Sequence, residues 1–358
     1  MSFRTSPGRP IWRRTAAAAT ATGLALTLAA CGSDDSDSAA AGSDEGFGEM
    51  SVQFSWIKNA EFLGEYVADD AGYYTDAGFD SVNLVSGPSS GVAELLQGTV
   101  EVALNDAVSV GTAVANEDAP LKIIGTTYQK NPFTILSLAD GGNIATPQDM
   151  VGKKIGVQDS NTALFRALLA ANGIDEGQVT IVPVQYDPSV LVNGEVDGFV
   201  AYLTNESITV AAQGKTVTNL PFADNGLPFV AETFTATDQT IAEDRDMLKD
   251  FLVAEIKGWT DAIADPAAAI DLDLSDYGSD LGLVEENEVQ SAQIANDQLI
   301  TSSDTEADGL FTISDELQQE TLKSLAGAGI DVSAEDLFDL SLLDEVYEEN
   351  PDLVDYAG

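Results

Sequence analysis

The sequence predicts an α/β protein of two lobes, each built on βαβ units and facing the other across a central cleft. Three observations carry that prediction. A strand–helix–strand pattern near residue 50 is written a second time about 95 residues further on. Two extended apolar segments stand where the chain must pass between lobes and return. Of the 358 residues, 44% are hydrophobic, enough to fill a large core.

The first unit opens with an apolar run at 52–56, which stops at Lys58-Asn59. Phe62, Tyr66, Val67, Tyr73 and Tyr74 follow at helical spacing, so the reading is strand, polar turn, helix. Ala77-Gly78-Phe79-Asp80 stops the helix. A strand at 82–85 runs into Gly87-Pro88-Ser89-Ser90, a short helix covers 92–97, and beyond Gly98 a third strand at 100–104 ends at Asn105-Asp106.

The second unit repeats this order. A strand at 154–157 ends in Asp159-Ser160-Asn161-Thr162, and a helix runs through Ala171 to the stop Asn172-Gly173-Ile174-Asp175. A strand at 179–184 ends near Tyr186-Asp187-Pro188-Ser189, and the stretch 191–197 echoes 95–101 before a last strand at 198–202. Gly78 and Gly173 are 95 residues apart, Gly98 and Gly194 96. Parallel strands joined by right-handed crossovers bring all the strand ends of a unit to one edge, and two such edges make a cleft.

Between the units, 121–127 and 133–138 read as strands, the latter carrying the chain into the second lobe, and 229–237 reads as the return. Two crossings imply a hinge. Helices then follow at 245–264, near 285–300 and near 314–326, expected to pack on the first lobe, and the acidic, Leu-rich stretch 324–358 reads as a final packing segment. The expected division is 51–135 with 233–358 for the first lobe and 136–232 for the second.

Composition narrows the function. There are 60 acidic residues against 15 basic, net charge −45, and no His. Such a surface repels nucleic acid and anionic membranes. Dense carboxylate with little Lys also suits solubility in brine, and a salt-adapted host is the implied setting. The unfolding midpoint is then expected to rise between low and molar salt; equal stability in both would overturn this. Without His there is no Ser-His or Cys-His pair and no His metal site, and one Cys allows neither thiolate cluster nor internal disulfide, so most hydrolase and zinc chemistry is unavailable; no catalytic residue, metal or cofactor is expected.

Ligands of open α/β sheets sit beyond the carboxyl ends of the strands. That rule nominates Trp56, Asn59, Glu61, Ser89, Asn105, Asp159, Ser160, Tyr186, Tyr202, Asn205 and Glu206. Trp offers a stacking face and one N–H, Asn a donor and an acceptor, and Glu acceptors alone.

Residues 1–30 read as an export signal, with Arg4, Arg9, Arg13 and Arg14 ahead of an apolar run and Leu28-Ala29-Ala30-Cys31 at its end. This resembles a bacterial lipoprotein signal, which is cut before a Cys that is then lipidated; Cys31 is the only Cys in the chain. Residues 31–50, Ser, Ala, Gly and acid, read as a flexible tether.

Across 51–300 the chain resembles the solute-binding proteins of ABC importers, in the branch of thiamine-pyrimidine-precursor, riboflavin, sulfonate and nitrate binders. The likeness is carried by the run Trp56 to Phe62, by Gly72-Tyr73-Tyr74 with Ala77-Gly78-Phe79, by Leu96-Gln97-Gly98, by Val196-Asp197-Gly198, and by 251–266 with its Asp265-Pro266. The resemblance implies a type II periplasmic-binding-protein fold, a lipid-anchored monomer outside the cell membrane, and delivery of a small-molecule ligand to an ABC permease. In the pyrimidine-precursor branch an aromatic residue holds the ring while an Asn, a Tyr and a Glu bond to it, which here match Asn59, Tyr202 and Glu206. Pyrimidine synthases sharing this fold use a His donor that this chain lacks, so binding rather than catalysis is implied. Lys58 is the only cation among the strand-end residues, and Asp106, Asp159 and Glu206 are expected to make the cleft acidic. An aminopyrimidine-like heterocycle is therefore favoured, with riboflavin next, then sulfonate or nitrate.

Overall fold

The computed structural model describes residues 46–356. The expected signal, the tether and Cys31 lie outside this range, save for the tether's last residues. Ten strands follow in chain order: β1 Gly48–Gln53, β2 Phe79–Val85, β3 Val102–Asn105, β4 Leu121–Tyr128, β5 Phe133–Leu138, β6 Lys154–Val157, β7 Thr180–Pro183, β8 Gly198–Tyr202, β9 Val217–Pro221 and β10 Ala231–Thr237.

They form two five-stranded sheets of one topology, β2-β1-β3-β10-β4 and β7-β6-β8-β5-β9. In each, three strands are parallel, with Val52 opposite both Leu84 and Val102 in the first and Ile155 opposite Ile181 and Gly198 in the second. The fourth strand is antiparallel in each case: β10 pairs Phe234 with Leu104, and β5 pairs Ile135 with Val200. The repeat seen in the sequence is thus the parallel trio, and the paired Gly98 and Gly194 both hold left-handed backbone, at φ 64° and 74°, where the helix must stop and turn into the next strand.

β5 lies wholly in the second sheet and β10 wholly in the first. The chain therefore crosses at 129–132 and 222–230, ahead of the two strands expected to carry it. Asn131 ties the crossings together: its Nδ2 donates to the Leu227 carbonyl at 2.7 Å, and its Oδ1 accepts the Phe133 N–H at 3.1 Å.

The opening strand ends at Gln53 rather than at Trp56. Phe54 N–H still reaches the Val85 carbonyl at 2.9 Å, but the Ser55 and Trp56 carbonyls accept instead from Ser89 and Gly87, at 3.1 and 2.7 Å. The loop after β2 takes over the ladder, and Trp56 is turned toward the cleft.

The helix Arg245–Ala264 packs against Leu63–Asp70 so closely that a Cβ on Gly258 would stand 2.2 Å from the Gly64 carbonyl oxygen. Phe54, Tyr66, Phe234, Phe251 and Trp259 fill the core beneath. Not every later helix stays with the first sheet. Asp315–Gly327 touches both Ala107–Glu117 and Thr162–Ala171, and Leu325 belongs to one buried cluster with Ile123 of the first sheet and Ile135 of the second. Beyond it, Leu342, Leu343 and Val346 complete the first core, and Glu345 pairs with Arg245 at 2.7 Å.

Candidate functional site

A cavity of about 370 Å³ lies between the two sheets, at the carboxyl ends of their parallel strands. Eight of the eleven nominated residues line it: Trp56, Ser89, Asn105, Ser160, Tyr186, Tyr202, Asn205 and Glu206. No Lys or Arg does. Lys58 is turned away, its ammonium 5.6 Å from the centre of the Tyr277 ring.

Two aromatic rings meet at this cavity. Trp56, from the turn after β1, stands edge-on to Tyr186 from the opposite lobe, ring centres 5.2 Å apart, and Ser160 Oγ bonds the Tyr186 hydroxyl at 2.9 Å. Tyr202 ends β8 and stands edge-on to Phe133 of β5 at 4.6 Å. Glu206 opens the helix Glu206–Ala212, and its Oε2 accepts the Tyr202 backbone N–H at 2.8 Å. Burial pushes the Glu206 carboxyl up to about 7 against that hydrogen bond.

Other lining residues are spent on the protein itself. Asn105 Nδ2 donates to the Ser90 carbonyl at 2.9 Å, while its Oδ1 accepts from the Thr233 and Thr235 hydroxyls at 2.7 and 2.8 Å. It fixes the loop 88–90 that forms one wall. Ser89 Oγ donates to Glu94 and accepts from Gly91 N–H, both at 3.1 Å. Asp106 caps its helix with bonds from Val108 N–H, Ser109 N–H and the Ser109 hydroxyl.

Three nominated residues do not line the cavity. Asp159 is exposed, in the 3₁₀ turn Asp159–Asn161, because β6 ends one residue before the side chain that reaches inward. That inward side chain is Gln158, whose Nε2 donates to the Val200 carbonyl at 2.9 Å and whose Oε1 accepts from Asn161 at 3.0 Å. Asn59 and Glu61 are 4% and 1% exposed and bond across the cleft to Asn205, so the lobe contact occupies them.

The strand-end rule contained Gln158, one position before the residue chosen. It did not contain Phe133, which opens β5 just after the crossing at 129–132, nor Glu232, which does not line the cavity but bonds to Ser55, which does. Glu232 sits on β10 at φ 47°, a left-handed conformation that a residue with a Cβ seldom adopts, and both its oxygens accept from Ser55 Oγ, at 3.0 and 2.8 Å. Its carboxyl is raised well above the ordinary range by burial first and then by Glu61. Among the described residues, no group of three or more Cys, Asp or Glu side chains is placed to hold a metal, and no helix is long and apolar enough to cross a membrane.

The family model described as NMT1/THI5 like matches residues 59–269. A riboflavin-binding protein of Chloroflexus aurantiacus is 27% identical over 244 residues, 63% of this chain and 66% of that protein. A formylaminopyrimidine-binding protein of Halalkalibacterium halodurans is 24% identical over 262 residues, 71% and 78% of the two chains. Among solved structures, the periplasmic aliphatic sulphonate binding protein of Escherichia coli superposes with a TM-score of 0.61 at 14% identity, covering 78% of this chain and 90% of its own. The periplasmic nitrate-binding protein of Synechocystis gives 0.62 at 13%, covering 86% and 90%. At such identities the structural likeness establishes the two-lobed periplasmic-binding-protein fold.

Proposed function

Because the chain belongs to the NMT1/THI5-like family, we propose that it is the substrate-binding protein of an ABC importer, taking a small heterocycle of the aminopyrimidine class between its lobes. The lobes close on the ligand about the crossings at 129–132 and 222–230, and the closed form docks on a membrane permease. Cys31 holds the protein by lipid to the outer face of the cell membrane, as a monomer. The ligand leaves unchanged, since a chain with no His offers no Ser-His or Cys-His pair to attack it.

One observation carries the choice of ligand: the cavity is lined by Trp56, Tyr186, Tyr202 and Glu206 and by no Lys or Arg. An anion would meet carboxyls there and no guanidinium or ammonium, which disfavours sulfonate and nitrate. A flat ring suits the aromatic faces. Its ring N–H and amino groups suit Glu206, which has one oxygen bound to the backbone and the other for a ligand. A flavin shares the flat ring and the ring N–H, and the riboflavin-binding relative favours it as the second reading.

Native mass spectrometry of the protein purified gently from its own cells tests this. An added mass matching an aminopyrimidine is expected. A flavin mass would select the second reading, and a calorimetric response to a sulfonate or nitrate alone would overturn both.

A further inference from the structure

Three residues that the sequence marks for a ligand are instead bonded to one another across the cleft. Asn59 is fixed to the first lobe: its Oδ1 accepts the Glu61 N–H at 3.1 Å, and its carbonyl accepts from the Tyr66 hydroxyl and the Phe62 N–H, both at 3.2 Å. Its side-chain Nδ2 donates to Asn205 Oδ1 at 3.2 Å, and Asn205 belongs to the second lobe. Asn205 Nδ2 in turn donates to Glu61 Oε1. The Asn205 amide is thereby used at both ends, each time by the first lobe.

We infer that Asn59, Glu61 and Asn205 form a clasp that closes the lobes on each other before a ligand arrives, with Asn59 and Glu61 positioning the walls of the cavity from behind and Asn205 joining them from the wall it lines. The inference rests on the reading of the cleft as a ligand site that opens and closes. Preformed closure has a definite consequence for binding. A ligand that need not supply all the free energy of closure itself binds more tightly, in proportion to the closed fraction of the free protein.

The clasp has a built-in sensitivity. Glu61 Oε2 has no hydrogen-bond partner among the described residues. The groups around Glu61 are acidic or phenolic on every side: Glu206 from the second lobe, Glu288 from the helix Glu285–Ile294, Glu232 from β10, Tyr66, Tyr128 from β4 and Tyr202 from β8. Burial, with Glu206 and Glu288 adding to it, pushes the Glu61 carboxyl up to about 8, against the bonds from Asn205 and Asn59. Opening the lobes hydrates Glu61 and returns it toward its ordinary value of 4.5. The closed state therefore holds a proton that the open state releases. Closure is fully favoured below pH about 4.5 and weakens steadily as pH rises through about 8.

The distance between the lobes in the ligand-free protein tests the clasp directly. Spin labels on Asp80→Cys and Gln178→Cys, both exposed, report it by pulsed dipolar spectroscopy in the full chain carrying Cys31→Ser. A dominant short distance is expected at pH 6, falling at pH 9. Asn205→Ala is expected to lower the ratio of closed to open forms by about fivefold for each hydrogen bond lost. Glu61→Gln, whose amide oxygen still accepts from Asn205, is expected to keep the short distance and to keep it at pH 9.

An unchanged distribution in Asn205→Ala overturns the clasp. If that variant does not fold, Glu61→Gln decides alone: a short population lost at pH 9 as fully as in the wild type overturns it too. No ligand is present in either measurement. A protein that closes as described but takes up neither aminopyrimidine nor flavin would leave the clasp standing and remove the proposed ligand.

Discussion

Glu255→Gln is expected to make the protein more stable at pH 7 and to flatten its dependence on pH. Glu65 and Glu255 are both wholly buried, on the two helices that pack through Gly64 and Gly258. Tyr74 donates to Glu255 Oε1 at 2.5 Å, but Glu255 Oε2 and both oxygens of Glu65 have no hydrogen-bond partner among the described residues. Burial is the main cause that raises both carboxyls, and Glu255 raises Glu65 further. The sign follows from which state holds the proton. At low pH the folded and unfolded chains are both protonated. Above pH about 4.5 the unfolded carboxyl ionises while the buried one does not, so folding loses about 1.4 kcal/mol per pH unit for each such proton. Between pH 5 and 7 that is about 3 kcal/mol for one group, a large share of the stability of an ordinary domain. Gln keeps the Tyr74 bond and cannot ionise. Denaturant unfolding at pH 5, 6 and 7, in molar salt so that surface repulsion is screened, is expected to show a slope reduced by one proton in the variant; parallel profiles would show that Glu255 is already ionised in the folded protein.

How much of this was legible in the chain depends on the distance over which each signal acts. The parallel trios are local: Gly98 and Gly194 announce their turns within a few residues, and the strands Phe133–Leu138, Lys154–Val157 and Gly198–Tyr202 begin and end where their apolar patterns do. Trp56, Tyr202 and Glu206 follow from that, since a strand end fixes which edge a side chain occupies. Asn59 and Glu61 show where this reasoning stops. Their position at a strand end was legible, but their partner lies 146 and 144 residues away, and nothing local says whether a polar group at a cleft meets a ligand or the opposite wall. Glu232 is harder still. Its left-handed backbone falls just inside β10, after the crossing at 222–230, and a Glu in an extended apolar run carries no mark of that. Glu65 is buried on a helix that packs against a second one through Gly64 and Gly258, a contact between segments almost 200 residues apart that no local pattern announces.

Glu206 and Glu61 are expected to tilt the pH dependence of binding in opposite directions, and single substitutions should expose each tilt. A ligand presenting N–H donors favours the ionised Glu206, whose carboxyl burial holds at about 7, so its contribution grows as pH rises to about 7 and then levels. The clasp works the other way, because closure takes a proton onto Glu61 and weakens as pH rises toward about 8. In the wild type the two slopes offset between pH 5 and 7. Glu61→Gln removes the second and should leave an aminopyrimidine affinity that climbs with pH; Glu206→Gln removes the first and should leave one that falls. Comparing both variants with the same ligand cancels the ligand's own titration. Glu206→Ala, which also removes the acceptor, is expected to weaken binding by about tenfold or more at pH 7, with Trp56→Ala losing at least as much through the ring contact. Calorimetric titration across pH 5 to 8 reads all four. Equal slopes in the two Gln variants would place neither carboxyl in the binding equilibrium. An affinity untouched by Glu206→Ala would move the ligand toward the Ser89 side of the cavity, where Asp106 is the lining carboxylate and already accepts from Val108 N–H, Ser109 N–H and the Ser109 hydroxyl.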